Sequence, residues 1–515
     1  MKKNLFVVFI LLFSFFAVEA QKKEDCLVKV TFLHVNDVYS FMPVDGGERG
    51  GLARLLTLKK KYVSENPNTI FTLGGDTISP SVESRTYKGS QMIDAWNTVG
   101  IDYAVFGNHE FDVKPDVLLQ RMKESKFQWL GANVFDKKTN KIFADTPPFV
   151  IREIGGVKIG IIGLLLPETK QTSSMDASLE VLDYCQTAKT YVKQMRKQGA
   201  NTVIGLTHLS MSQDKQLAKC ADFDMILGGH EHSILQSTSN HTPIFKMTAD
   251  ARELGKFDLF INKRTGKLEQ MDWEIVPVTN KIADAPEFSA VVDRYKDLLQ
   301  KLAEPIGRTD VVLDALSFSV RTKETNIGNF IADAYRNAAN ADIGFVNGGS
   351  IRADLTYNPS VLTKRDVLSL LPFNNPIVKV EITGKVLREV LENGVSRTAE
   401  ESESGRFPQI SGMTFTFDVS KPAKSRVTEV KVGGVALDDN KTYTLATSDF
   451  LVSKGGDDYT MFKNTKILIK AEDAQKDSDV LERAIRNSPN STISPKLEGR
   501  ITRIGQKNET KSDCK

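Results

Sequence analysis

Histidine is scarce in this chain, with six among 515 residues. Cysteine is scarcer, with four, and none has the close spacing of a sulfur-liganded zinc site. An excess of one charge is also missing. Sixty-eight basic and 65 acidic residues leave a formal charge of +3, which excludes a strong field for nucleic-acid polymers or membrane surfaces. Long apolar runs are confined to the first 20 residues. There Lys2 and Lys3 precede an apolar stretch from Leu5 to Val18, and Val18-Glu19-Ala20 offers a cleavage site before Gln21. The run falls short of the roughly 20 residues of a membrane span. The expectation is a cleaved signal at 1–20 and a periplasmic or secreted protein with no span after cleavage. In such a compartment Cys185 and Cys220, with Cys26 and Cys514, form one of three complete disulfide pairings.

What is present is a repeated grammar. Short apolar strands end in turns that carry side chains able to bind metal. Val28–Leu33 leads to Asp37 and Tyr39, and Ile70–Leu73 leads through Gly74-Gly75 to Asp76. Tyr103–Val105 leads to Phe106-Gly107-Asn108-His109-Glu110-Phe111-Asp112. Val203–Thr207 leads to His208, and Met225–Leu227 leads to Gly228-Gly229-His230-Glu231-His232. Five of the six histidines lie in these segments. In α/β sheets the carboxyl ends of strands share one edge, so these residues can converge. Asp, Asn and His together suit a borderline divalent ion such as zinc or manganese. His34 points away from Asp37 if the strand continues, which makes it a supporting residue. His241, in Ser239-Asn240-His241-Thr242-Pro243, reads as a surface turn.

The order Asp-x-Tyr, Gly-Asp, Gly-Asn-His-Glu, His, Gly-His-x-His resembles that of calcineurin-like metallophosphoesterases. The longer Phe-Gly-Asn-His-Glu-Phe-Asp, together with Asn347-Gly348-Gly349-Ser350-Ile351-Arg352, resembles the 5'-nucleotidase and UDP-sugar hydrolase family. The resemblance implies two divalent ions, with Asp76 bridging them. It places Asp37 and His232 at one ion and Asn108, His208 and His230 at the other. His109, oriented by Asp112, would face the phosphate, and a water bridging the ions would be the nucleophile. Tyr39 stands where the family usually has histidine, so it is a candidate ligand whose phenol must first lose a proton. In the second half the resemblance assigns Arg321, Asn347 and Arg352 to the nucleotide, Phe407 and Phe450 to its base, and Asp457 to the ribose. The polar, turn-rich surroundings of both phenylalanines argue against a core role.

The expected fold is α/β: a two-sheet αββα sandwich at 27–284, a linker helix at 285–305 and a smaller α/β nucleotide-binding domain at 306–505. Helices are expected near Gly89–Val99, Pro115–Lys123, Leu179–Lys197 and Ile327–Ala338. The segment Ala285–Glu304 has helical spacing and ends at Pro305. The expected activity is release of phosphate from nucleoside 5'-phosphates. The alternatives are a UDP-sugar or dinucleotide pyrophosphatase, a 2',3'-cyclic phosphodiesterase with 3'-nucleotidase activity, and a non-catalytic nucleotide-binding protein. Oligomeric state is not legible.

Overall fold

The structure is a computed structural model that describes residues 26–397 and 404–506. The expected signal, Cys514 and nearly all of the polar tail lie outside these residues. The chain divides into two compact units. The first holds the residues up to Ser79, Gly89–Thr169 and Met175–Val292. The second holds Pro80–Lys88, Lys170–Ser174 and the chain from Asp293.

The first unit is built on twelve strands: β1 Leu27–Val35, β2 Thr69–Leu73, β3 Tyr103–Val105, β4 Gln128–Leu130, β5 Phe149–Ile154, β6 Val157–Leu165, β7 Thr202–His208, β8 Met225–Gly228, β9 Leu235–Ser239, β10 Thr242–Lys246, β11 Glu253–Asn262 and β12 Leu268–Pro277. They form two six-stranded sheets, ordered β12-β11-β1-β2-β3-β4 and β9-β10-β8-β7-β6-β5. Strands β1 to β4 in one sheet and β10-β8-β7-β6 in the other run parallel. Phe32, Ile70 and Val105 from one sheet share a buried cluster with Ile161, Ile204, Leu206 and Leu227 from the other. Apolar runs such as Val203-Ile204-Gly205-Leu206 lack strict alternation because their strands are buried on both faces. The result is the expected mixed α/β architecture.

Local chemistry sets the helix ends. Helix α1 spans Leu52–Glu65, α2 Ser90–Val99, α3 Pro115–Glu124, α4 Tyr184–Lys197 and α5 Met211–Cys220. Pro115 sits at the first turn of α3, where its missing N–H costs nothing. Ser210 and Gln213 close a capping box on α5. The helix expected from Leu179 starts later: Leu179–Val181 is a short strand, and Asp183 caps α4 by accepting from Gln186 N at 2.7 Å. Asn240 and His241 both have positive φ, as a two-residue hairpin turn between β9 and β10 requires.

The Ala285–Glu304 segment is not one helix. It forms a short turn at Pro286–Phe288 and two short helices, Ser289–Arg294 and Lys296–Leu302, broken at Tyr295. Phe288 and Val291 belong to the first unit, and Tyr295 and Leu302 to the second. A periodic pattern therefore covered residues of two different units. Pro305 opens a strand, Pro305–Thr309.

The second unit centres on a five-stranded sheet of β13 Ile343–Asn347, β14 Ile377–Thr383, β15 Pro408–Ser411, β16 Thr442–Ser448 and β17 Lys466–Ile469, ordered β15-β13-β16-β14-β17. Alternate residues feed two cores. Phe345 and Val380 enter one, and Val346 and Ile377 enter the other. Helix α6, Asn326–Ala338, begins at Thr325, whose side chain accepts from Gly328 N.

Cys185, at the start of α4, is bonded to Cys220, at the end of α5, with Cα atoms 5.5 Å apart. Cys26 is exposed. A bridge closing 35 residues stabilises chiefly by restricting the unfolded chain. Replacing Cys185 with Ser should cost about 2–4 kcal/mol of unfolding free energy, read from denaturant titration.

Candidate active site and metal centre

Every expected ligand of the first unit follows the carboxyl end of a parallel strand. Asp37 follows β1, Asp76 follows β2, and Asn108 and His109 follow β3. His208 ends β7, while His230 and His232 follow β8. The paired registers Val35 with Leu73 and Leu73 with Ala104 bring the first three turns side by side.

Close backbone approach makes the cluster possible. A Cβ at Gly107 would collide with Asp76 Oδ1, and one at Gly229 would collide with the Gly74 carbonyl oxygen. Only glycine fits at these positions. Asp37, Asp76 and His230 have φ of 54°, 56° and 84°. Such conformations cost about 1–3 kcal/mol each and persist where their surroundings hold them.

Asp76 lies at the centre. Its Oδ2 is 3.3 Å from His208 Nε2 and accepts from the Tyr39 hydroxyl at 3.2 Å. Tyr39 Oη also lies 3.3 Å from Asp37 Oδ1 and 3.2 Å from His232 Nε2. On the other side His208 Nε2 is 3.2 Å from Asn108 Oδ1, and the rings of His208 and His230 are 5.3 Å apart. Two groups of candidate ligands therefore meet at one carboxylate. Donor atoms of Asp37, Asp76 and His208 all lie within 4.8 Å of one another, and all three residues are buried.

Burial pushes the carboxyls of Asp37 and Asp76 upward, and the charge of Asp76 adds to the push on Asp37. Nearby imidazoles outweigh this: His232 and His208 hold Asp37 low, while His208 and His109 hold Asp76 low. Burial disfavours charge on His208, but Asp76 lifts it to about 9. Two buried carboxylates, three imidazoles, an amide oxygen and a phenol fit a pair of divalent ions.

His109 plays a different part. Its Nδ1 lies 2.7 Å from Asp112 Oδ2, and its backbone N–H donates to Asp76 Oδ1 at 2.8 Å. An ionised carboxylate only accepts, so Asp112 selects the Nδ1–H tautomer. Ser79 Oγ donates to the same Asp112 oxygen at 3.0 Å.

Several organising residues escaped the sequence reading. Asn36 donates to Asp37 Oδ2 at 2.8 Å and brackets the backbone of Met247 through its amide. Glu110 accepts from the backbone N–H groups of Asp76, Thr77, Ile78 and Gly107. Burial and Asp76 push its carboxyl up to about 7. Its place in Gly-Asn-His-Glu was the available signal. His34 is buried, with Nδ1 2.9 Å from Thr72 Oγ1 and Nε2 3.1 Å from the Gly228 oxygen, as a supporting residue should be. Burial lowers its imidazole to about 4.

The second unit gathers another set. Asn347 Nδ2 donates to Asp457 Oδ2 at 2.7 Å, and Ser350 Oγ donates to Asn347 Oδ1. Gly348 N and Gly349 N donate to the oxygens of Phe407 and Gly405, each at 2.7 Å. Burial raises the Asp457 carboxyl, opposed by Asn347, Arg406 and Arg321. A Cβ at Gly348 would lie 3.1 Å from Arg321 Cα, which places the Arg321 backbone beside this cluster. Gly456 packs on the Phe450 ring, leaving no room there for a side chain. Phe450 is half-buried. Arg352 is also half-buried, and its backbone N–H donates to the Leu370 oxygen. Phe407 departs from expectation. It is 3% exposed and packs edge-on against Phe417 in the apolar core. Polar neighbours in sequence concealed apolar neighbours in space. Gln409 was also missed: it is buried and donates to the oxygens of Val320 and Lys323, flanking Arg321.

Comparison with known proteins agrees with both halves. Residues 30–233 match the calcineurin-like phosphoesterase family, and residues 305–464 match the 5'-nucleotidase C-terminal domain. The chain belongs to the 5'-nucleotidase family. It is 31% identical to a trifunctional nucleotide phosphoesterase of Bacillus subtilis over 93% of this chain, and spans 35% of that relative's length. It is 26% identical to the human 5'-nucleotidase, covering 92% of this chain and 90% of the relative. A 5'-nucleotidase precursor from Thermus thermophilus superposes with a TM-score of 0.86 at 26% identity, over 94% of this chain and 100% of that one. As a member of this 5'-nucleotidase family the chain is a hydrolase, and calcineurin-like phosphoesterases carry a dinuclear metal centre.

Tyr39 and His232 face each other beside Asp37, and the family resemblance would place both at the same ion. Imidazole binds as a neutral donor, whereas Tyr39 must lose a proton. His232→Ala should therefore remove one of two ions per chain and most activity. Tyr39→Phe should keep both ions, as measured by elemental analysis.

Proposed function

We propose that this protein is an exported nucleotidase that hydrolyses nucleoside 5'-phosphates at the centre in its first unit. The observation that carries the reading is the shared Asp76 carboxylate between two ligand groups, with the His109–Asp112 pair hydrogen-bonded to the same residue. The proposed ligands are Asp37 and His232 at one ion, Asn108, His208 and His230 at the other, and Asp76 at both. Bound divalent ions, zinc or manganese, would acidify a water and neutralise charge on the phosphoryl oxygens.

The side chains supply the rest. With Nδ1 committed to Asp112, His109 acts on the phosphoryl group through Nε2, stabilising charge that grows in the transition state. Water adds to phosphorus, the ester P–O bond breaks, and the nucleoside oxygen leaves with a proton. In the second unit Phe450 stacks on the base, which tolerates any base because each has a π-face. Arg321 and Arg352 offer guanidinium forks to the nucleotide. Asp457, braced by Asn347, accepts from the ribose hydroxyls.

The phenylalanines divide the expected outcomes. Phe450→Ala should cost nucleotide hydrolysis about 1–3 kcal/mol in kcat/KM and spare a small phosphoester without a base. Phe407→Ala empties a core position and should cost about 3–5 kcal/mol of stability. Phosphate release from 5'-AMP, 3'-AMP, UDP-glucose and cyclic AMP fixes the preferred bond. The reading predicts 5'-AMP as the best substrate, and no turnover of any phosphoester by fully metal-loaded protein would overturn it.

A further inference from the structure

One buried cation has no part in the chemistry above. Lys246, the last residue of β10, has a fully buried side chain. Its ammonium donates to the backbone oxygens of Leu209 and Gly229, the latter at 2.8 Å. It also pairs with Glu231, and with Asp214 Oδ2 at 3.0 Å. An ammonium is taken out of water only where such partners replace its hydration.

These partners are not scattered. Leu209 follows His208. Gly229 precedes His230. Glu231 lies between His230 and His232. Asp214, on α5, also accepts from Thr207 Oγ1 at 2.7 Å, immediately before His208. The other oxygen of Glu231 accepts from Met211 N at 2.7 Å, tying the His230–His232 turn to the start of α5. A single cation thus gathers the end of β7 and the turn after β8, which carry all three imidazoles of the proposed ligand set.

We propose that Lys246, acting with Glu231, is the positioning residue that holds His208, His230 and His232 in ligand geometry. This rests on reading those histidines as ion ligands. The strained His230 backbone, with φ of 84°, gives the device its purpose. Without an anchor on Gly229 and Glu231 the turn is free to relax, and the imidazoles lose their common focus. Residues that orient metal ligands change affinity by about 10–100-fold when removed.

The test uses the full chain. Lys246→Gln and Glu231→Ala are compared with Val203→Ala, a core substitution in β7 at the strand end remote from the ligands. Each is measured for ions per chain, chelator concentration needed to strip them, thermal midpoint without metal, and kcat and KM. We expect the two polar variants to release their ions at roughly tenfold or more lower chelator concentration. Their kcat should fall with KM little changed, whereas Val203→Ala should lower only the thermal midpoint. Lys246→Arg should recover part of the ion retention. If Lys246→Gln fails to fold, Glu231→Ala decides alone, because Lys246 keeps its other three partners there. Wild-type retention of ions and wild-type kcat in Glu231→Ala, or losses in Lys246→Gln no greater than in Val203→Ala at equal midpoint, would overturn the inference. A wild-type protein that binds no ions would instead refute the ligand reading itself.

Discussion

Two carboxylates in the interior of an apolar sandwich set the terms for this structure. Asp37 and Asp76 follow adjacent parallel strands, both fully or nearly fully buried, and like charges so close disfavour each other. Such a pair is costly unless positive charge sits against it. Its neighbours answer that requirement: the imidazoles of His232 and His208 beside Asp37, those of His208 and His109 beside Asp76, and the backbone N–H groups of His230 and His109. Glu110 works in the reverse sense, collecting four backbone donors so that the Asp76 turn keeps its left-handed conformation.

The fold exists at this edge because parallel strands end together. Two sheets packed through Phe32, Ile70, Ile161 and Leu206 hold their strand ends at fixed separation. The turns that follow carry function, not core, and close approach at Gly107 and Gly229 lets them meet. Rigidity beneath and strain above are linked, since a left-handed aspartate is stable only where packed strands anchor both sides of it.

The cluster of candidate ligands was largely legible in the sequence because its elements repeat one pattern: apolar strand, turn, polar side chain. Six histidines in 515 residues made the clustering conspicuous. The supports were less legible. Asn36, Glu110 and Lys246 act through backbone groups far away in sequence, and no local spacing announces such partners. Phe407 misled for a related reason, since its neighbours along the chain are polar while Phe417 and the core lie against it in space. The connector failed differently: helical periodicity was real, but its apolar residues served two units, and the helix broke at Tyr295. The second unit's cluster around Asn347 and Asp457 was placed by family resemblance, and its hydrogen bonds became visible only in three dimensions.

The account turns on Asp76 joining two ion sites that work together. The most direct measurement is ion content per chain beside phosphate release from 5'-AMP, on the wild-type protein before chelation, after chelation and after ions are restored. The account predicts two ions per chain, loss of activity on chelation and its return with the second ion. Activity within a few-fold of the starting value in protein stripped of both ions would contradict it.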